Sequence, residues 1–190
     1  MVQRMLALLA LAVLVLGGTV SGAAAAVAAQ PAPNDQDRHF LVQAHRANLT
    51  EIEAGKTAQN KASDQTVRDL GDKFVTDHMK LDASVQKVAK ALDVKLPDRP
   101  GPKQRAVLDK VSGLNGAAFD RAWITTEIMG HRETLAAVNT ELQDGSSAQV
   151  KQVATDAKPV VQEHLKLLEQ ARGAKTTPGS TPSASSSPGY

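Results

Sequence analysis

From Val67 onward, apolar residues recur at steps of three and four: Val67, Leu70, Phe74, then His78, then Leu81, Val85, Val88 and Leu92. That spacing places all of them on one face of an α-helix. Ile124, Ile128, His131, Leu135, Val138 and Leu142 repeat the pattern, as do Val150, Val153, Ala157, Val160, His164, Leu167 and Ala171. Three helices are therefore predicted, each turning one imidazole into a shared apolar interior. A fourth, upstream, carries two lines. Leu41, His45, Leu49, Ile52 and Lys56 trace one; Ala44, Asn48, Glu51, Gly55, Ala58 and Ala62 trace the other. The second line is made mostly of small residues. A neighbouring helix can approach it closely, which would leave Glu51 half-buried.

The punctuation between these stretches sets the boundaries. The first helix is predicted from about Gln36 to Asn60, with Ser63 capping the second, since its hydroxyl can accept a free first-turn N–H. Leu96-Pro97-Asp98-Arg99-Pro100-Gly101-Pro102 stops the second helix, because proline lacks the donor and restricts its predecessor. Lys103 to Val111 reads as a short helix, and Ser112 to Gly116 breaks it. A connection of about 24 residues far exceeds the ~2–8 of a helix hairpin, so it can cross the length of a bundle. The third long helix begins near Ala117 and ends at Asp144-Gly145; Ser146 or Ser147 caps the fourth. Pro159 is expected to kink that last helix.

Composition adds the compartment. Residues 1–28 read as a secretory signal, with Arg4, an apolar run from Met5 to Leu16 and small residues before a cut at Ala29. Residues 29–37 form a linker, 38–172 the bundle domain, and 173–190 a disordered Ser/Thr/Pro/Gly tail. No stable membrane span is expected after cleavage. Cysteine is absent, which removes disulfides, thiolate metal sites and Cys nucleophiles. The net charge is +2 and only 3% of residues are aromatic, so nucleic-acid binding has no footprint. The chain names no protein partner and no oligomeric state.

A resemblance emerges from the motifs in order. Thr50-Glu51-Ile52-Glu53-Ala54-Gly55, Asp77-His78, Ala118-Phe119-Asp120-Arg121-Ala122-Trp123, His131, and Pro159 with His164 together resemble the bacterial exported family DUF4142, a domain of unknown function. The similarity runs from about Arg38 to Arg172. It implies an all-α, ferritin-like four-helix bundle with a short extra helix in the long connection. It also places Glu51, His78, His131 and His164 at the family's recurrent polar positions. His45 lies outside that pattern, and Trp123 stands where the family usually has tyrosine. The family carries no established activity.

Two readings of the polar set follow. Three imidazoles and a carboxylate (Glu51, His78, His131, His164) can ligate a transition metal such as Zn, Cu or Fe. Alternatively, the histidines form a structural hydrogen-bond network alone, in a non-catalytic envelope protein. Asp77 and Glu163, next to two of the histidines, point about 100° away and are poor direct ligands. Dinuclear ferritin-type sites need Glu-x-x-His; here Glu127 lies four residues before His131, so a ferroxidase centre is not expected. No Gly-x-Ser-x-Gly, phosphate loop or His-Glu-x-x-His occurs, and a non-enzyme is the expectation. With a crossover, helical rise puts Glu51 and His164 roughly 12–14 Å from one end of the bundle and His78 and His131 roughly 21 Å. With simple up-down order, His45 becomes the better match to His78.

Overall fold

The computed structural model describes residues 31–176. Five helices follow in order: α1 (Asp35–Lys61), α2 (Gln65–Ala91), α3 (Pro102–Ser112), α4 (Gly116–Asp144) and α5 (Ala148–Thr176). Among the described residues there is no strand, and no helix is long and apolar enough to cross a membrane. The predicted signal segment lies outside the described residues.

Each end of the bundle is fastened by one carboxylate. Asn34 and Asp37 form a reciprocal capping box at the start of α1. Asp37 also accepts from the Ser146 hydroxyl (2.7 Å) and from the backbone N–H groups of Ser146 and Ser147. The start of α1 is thereby tied to the α4–α5 turn. At the other end Asp120, near the start of α4, accepts from the Ser63 hydroxyl (2.6 Å) and the Asp64 N–H (3.1 Å) in the α1–α2 turn. Together these ties make α1 antiparallel to α4. Since α1 and α2 form a hairpin, α2 and α4 run parallel, and residues 92–115 must cross from end to end with α3 laid against α1 and α4. This is the crossover order of a ferritin-like four-helix bundle.

Three local expectations are corrected. Asp64, not Ser63, caps α2, accepting from Thr66 N–H at 2.7 Å; Ser63 is drawn off to Asp120. Gly116 opens α4 rather than preceding it. Its φ of +56° lies in the left-handed region that glycine enters without a Cβ penalty. Finally, α5 continues through Gly173 to Thr176, because one glycine among Ala171, Arg172 and Ala174 is too weak a breaker. The rest of the predicted tail lies outside the described residues.

The core has two apolar parts. Phe74, Phe119, Trp123, Ile124, Ile128 and Leu168 fill one, nearer the α1–α2 turn. Phe40, Leu41, Val85, Val138, Val150 and Val153 fill the other. Between them, each long helix contributes buried polar groups: Asn48 and Glu51, His78, Glu127 and His131, and His164. Burying polar groups is costly unless they are paired, so this layer is where function is sought.

Candidate metal centre

The three stripe histidines meet. One ring nitrogen from each of His78, His131 and His164 lies within 4.8 Å of one from each of the others. The expected difference in depth between His164 and the other two is not found. Because α5 runs to Thr176, His164 sits roughly 18 Å from that end, level with its partners.

Each ring has one nitrogen already committed. His78 Nδ1 faces the Asn48 Oδ1 at 2.9 Å. His131 Nδ1 donates to the Glu127 backbone carbonyl, one turn back, at 2.8 Å. His164 Nε2 donates to Asp77 Oδ2 at 3.1 Å. All three partners are acceptors, so the proton of each neutral imidazole resides there. The nitrogens left as lone pairs are His78 Nε2, His131 Nε2 and His164 Nδ1. The last two face each other at 3.3 Å. His78 Nε2 is buried and has no hydrogen-bond partner. Phe74 stacks on the His164 ring with centroids 4.2 Å apart, fixing its plane.

Electrostatics keep these rings neutral. Burial pushes His78 well below the usual imidazole range, with the charges of His131 and His164 adding to the effect. Burial likewise brings His131 down to about 4 and lowers His164. Asp77 differs: burial would raise it, but hydrogen bonds from Lys73 and His164 bring it down to about 2. A firm carboxylate thus backs His164, and Lys73 holds that carboxylate at 3.0 Å.

A second cluster adjoins the first through His131. Glu51 Oε1 and Glu127 Oε2 lie 3.8 and 3.9 Å from His131 Nδ1, and each residue is less than a tenth exposed. Burial raises both carboxyl groups above their ordinary values, Glu51 further through its proximity to Glu127. One oxygen of each, Oε2, is buried without a hydrogen-bond partner.

All four predicted residues are therefore buried in one interior, but not as one set. Glu51 joins Glu127 on the Nδ1 side of His131, away from His164. Glu127, whose spacing from His131 in the sequence argues only against a ferroxidase site, is a member of this cluster. Its signal was its place one helical turn before His131, on the same face. Asp77, read as pointing away, does not touch its neighbour's ring side but reaches across to α5. Glu163 stays at the surface, 3.4 Å from Lys73. His45 lies elsewhere, bonded to Asp82 and to the Pro97 carbonyl. Asn48 was placed on the small-residue line without a role.

Comparison with known proteins gives a family and a fold. A family model described as a domain of unknown function (DUF4142) matches residues 22–171. Among solved structures, the crystal structure of a DUF305 fragment from Deinococcus radiodurans superposes with a TM-score of 0.68 at 13% identity, covering 76% of this chain and 99% of that one. At that identity the likeness concerns fold alone. No curated protein matches the chain.

Proposed function

This chain belongs to the DUF4142 family, a domain of unknown function, and from its interior we propose that it binds one transition-metal ion through His78, His131 and His164. The supporting observation is the pair of facing lone pairs, His131 Nε2 and His164 Nδ1, 3.3 Å apart. Two unprotonated nitrogens at that distance repel unless a cation lies between them. Ligands about 2.0–2.1 Å from a tetrahedral ion stand about 3.3–3.4 Å from one another, which is the spacing seen. His78 Nε2 supplies the third lone pair, and its lack of any other partner gives it the same role.

The outer contacts fit this reading. A ligating imidazole characteristically donates its other N–H to a carboxylate or carbonyl, which orients the ring and raises its basicity. Asn48, the Glu127 carbonyl and Asp77 do this for the three rings. Three neutral nitrogens suit Zn or Cu, and Fe less well for want of carboxylate ligands. Glu51, the remaining residue of the predicted set, acts from behind His131 rather than as a ligand. The predicted leader favours a location outside the cytoplasm, where such a site would hold or deliver metal without catalysis.

The rival reading is a purely structural network in which a proton, not a metal, sits between His131 and His164. Elemental analysis of tag-free protein loaded with Zn(II) or Cu(II) and then gel-filtered separates the two. Near-stoichiometric metal, lost in His78→Ala, is the expected result. A protein that stays metal-free, with His78→Leu as stable as the wild type or more so, would overturn the metal reading.

A further inference from the structure

Beside the histidines a partly open cavity of about 240 Å³ lies between the helices. Its walls are apolar, with Ala44, Val85, Val107, Val138 and Val161 among them, and α3 of the crossover closes the groove between α1 and α4 above it. Glu51 and Glu127 also line it. Their Oε2 atoms are the buried oxygens that lack any partner, in side chains more than nine-tenths buried. The only lysine on the lining is Lys103, at the mouth, with its side chain 87% exposed and 3.9 Å from Glu133. An apolar chamber thus ends on two buried carboxyl groups that hydrogen-bond each other, with one oxygen of each unpartnered and the lining's one lysine out at the mouth.

We propose that this chamber is a binding site for a small primary amine with a hydrocarbon body, its ammonium head set between Glu51 and Glu127. An ammonium carries three donors and one positive charge, so a single head group can donate to both unpartnered Oε2 atoms. An alcohol would supply one donor and no charge, and a carboxylate would add to the repulsion. Size limits the body: a cavity of about 150 Å³ holds benzene, so this one takes about ten non-hydrogen atoms. The site does not need the metal.

Trp123 is the sole tryptophan and lines the cavity, so its fluorescence reports occupancy. Titration of the full chain with n-hexylammonium, n-hexanol and hexanoate should give saturable 1:1 binding of the amine, at least tenfold tighter than the alcohol, with hexanoate not binding. Glu51→Gln and Glu127→Gln, which keep shape and fold, should each erase the preference while retaining the alcohol. Ala44→Leu, which narrows the chamber, should weaken both ligands. The amine should still bind metal-stripped protein, so failure of the metal reading leaves this one standing. Absence of saturable binding by any of the three (a chamber holding water only), or amine binding unchanged in both glutamine variants, would overturn it.

Discussion

Gly55 and Gly71 face each other where α1 crosses α2, backbone against backbone. A Cβ placed on Gly55 would come within 2.6 Å of the Gly71 carbonyl oxygen, and one on Gly71 within 2.7 Å of the Gly55 carbonyl oxygen. Neither obstacle is a side chain that can swing aside. Alanine at either position has to push the helices apart, and overpacking of this kind costs about 1–3 kcal/mol. The gain in helix propensity, about 1 kcal/mol, offsets only part of that. We therefore expect Gly55→Ala and Gly71→Ala to lower the midpoint of chemical unfolding, whereas Gly173→Ala, whose added Cβ meets nothing within 4 Å, leaves it unchanged or slightly raised. Equal midpoints for all three would mean that the helices part without cost.

On the metal reading, Asp77 would bear on affinity without supplying a ligand. It accepts from His164 Nε2 at 3.1 Å and is itself held by Lys73, so it fixes which nitrogen of His164 is left free. Loss of such a partner typically weakens metal affinity 10–100-fold. Asp77→Ala should show that loss in competition with a chromogenic chelator, while still binding one equivalent at saturation. An affinity equal to that of the wild type would separate Asp77 from the site.

Much of this was legible in the chain, and the misses have physical causes. Periodicity found the three histidines because each interrupts an apolar stripe. It found that a neighbouring helix approaches α1 closely, because Gly55, Ala58 and Ala62 lie on one line, but not that this neighbour is α2. It could not find Asp77, which leaves its own stripe by about 100° and bridges to another helix; only packing decides what such a residue meets. In α5, Val160 and Leu167 were read as the buried face, yet Val161 and Leu168 are the fully buried pair, at 1% and 0% exposure. The sequence has apolar doublets at both places, so either register looks equally good. The position of His164 along the axis depended on where α5 ends, and a weak glycine signal put that end too early.

The junction between α1 and the α4–α5 turn predicts a pH dependence. Burial, reinforced by the neighbouring Asp37, raises Glu141 from its ordinary 4.5 to about 7. A carboxyl group raised on folding contributes stability that is fully present below pH 4.5 and lost as pH rises through 7. Asp37 has the opposite sign. Burial would raise it, but hydrogen bonds from Ser146, Asn34 and Ser147 bring it to about 2, so its contribution holds above pH 3.8 and is lost as pH falls toward 2. Glu141→Gln should match the wild type in thermal stability at pH 5 and exceed it at pH 8. Parallel pH profiles for the two proteins would show that Glu141 titrates alike in both states.

His45, outside the histidine cluster, holds the crossover to the bundle. Its Nδ1 meets Asp82 Oδ1 at 2.6 Å and its Nε2 meets the Pro97 carbonyl at 2.9 Å, with both side chains nearly buried. Gln86 adds a hydrogen bond to the second Asp82 oxygen. The proline-rich stretch from Leu96 to Gly101 has no helix of its own to fix it before α3, so this imidazole is its anchor to α1 and α2. Removing one partner of a buried pair strands the other, at a cost of about 3–5 kcal/mol, whereas replacing both with apolar groups recovers much of that. His45→Leu should therefore be strongly destabilising and should open residues 93–101 to limited proteolysis. In His45→Leu/Asp82→Leu, stability should return while the connection stays cleavable, since the Pro97 carbonyl still lacks its donor. A double variant as resistant to protease as the wild type would show that the crossover is held by α3 packing alone.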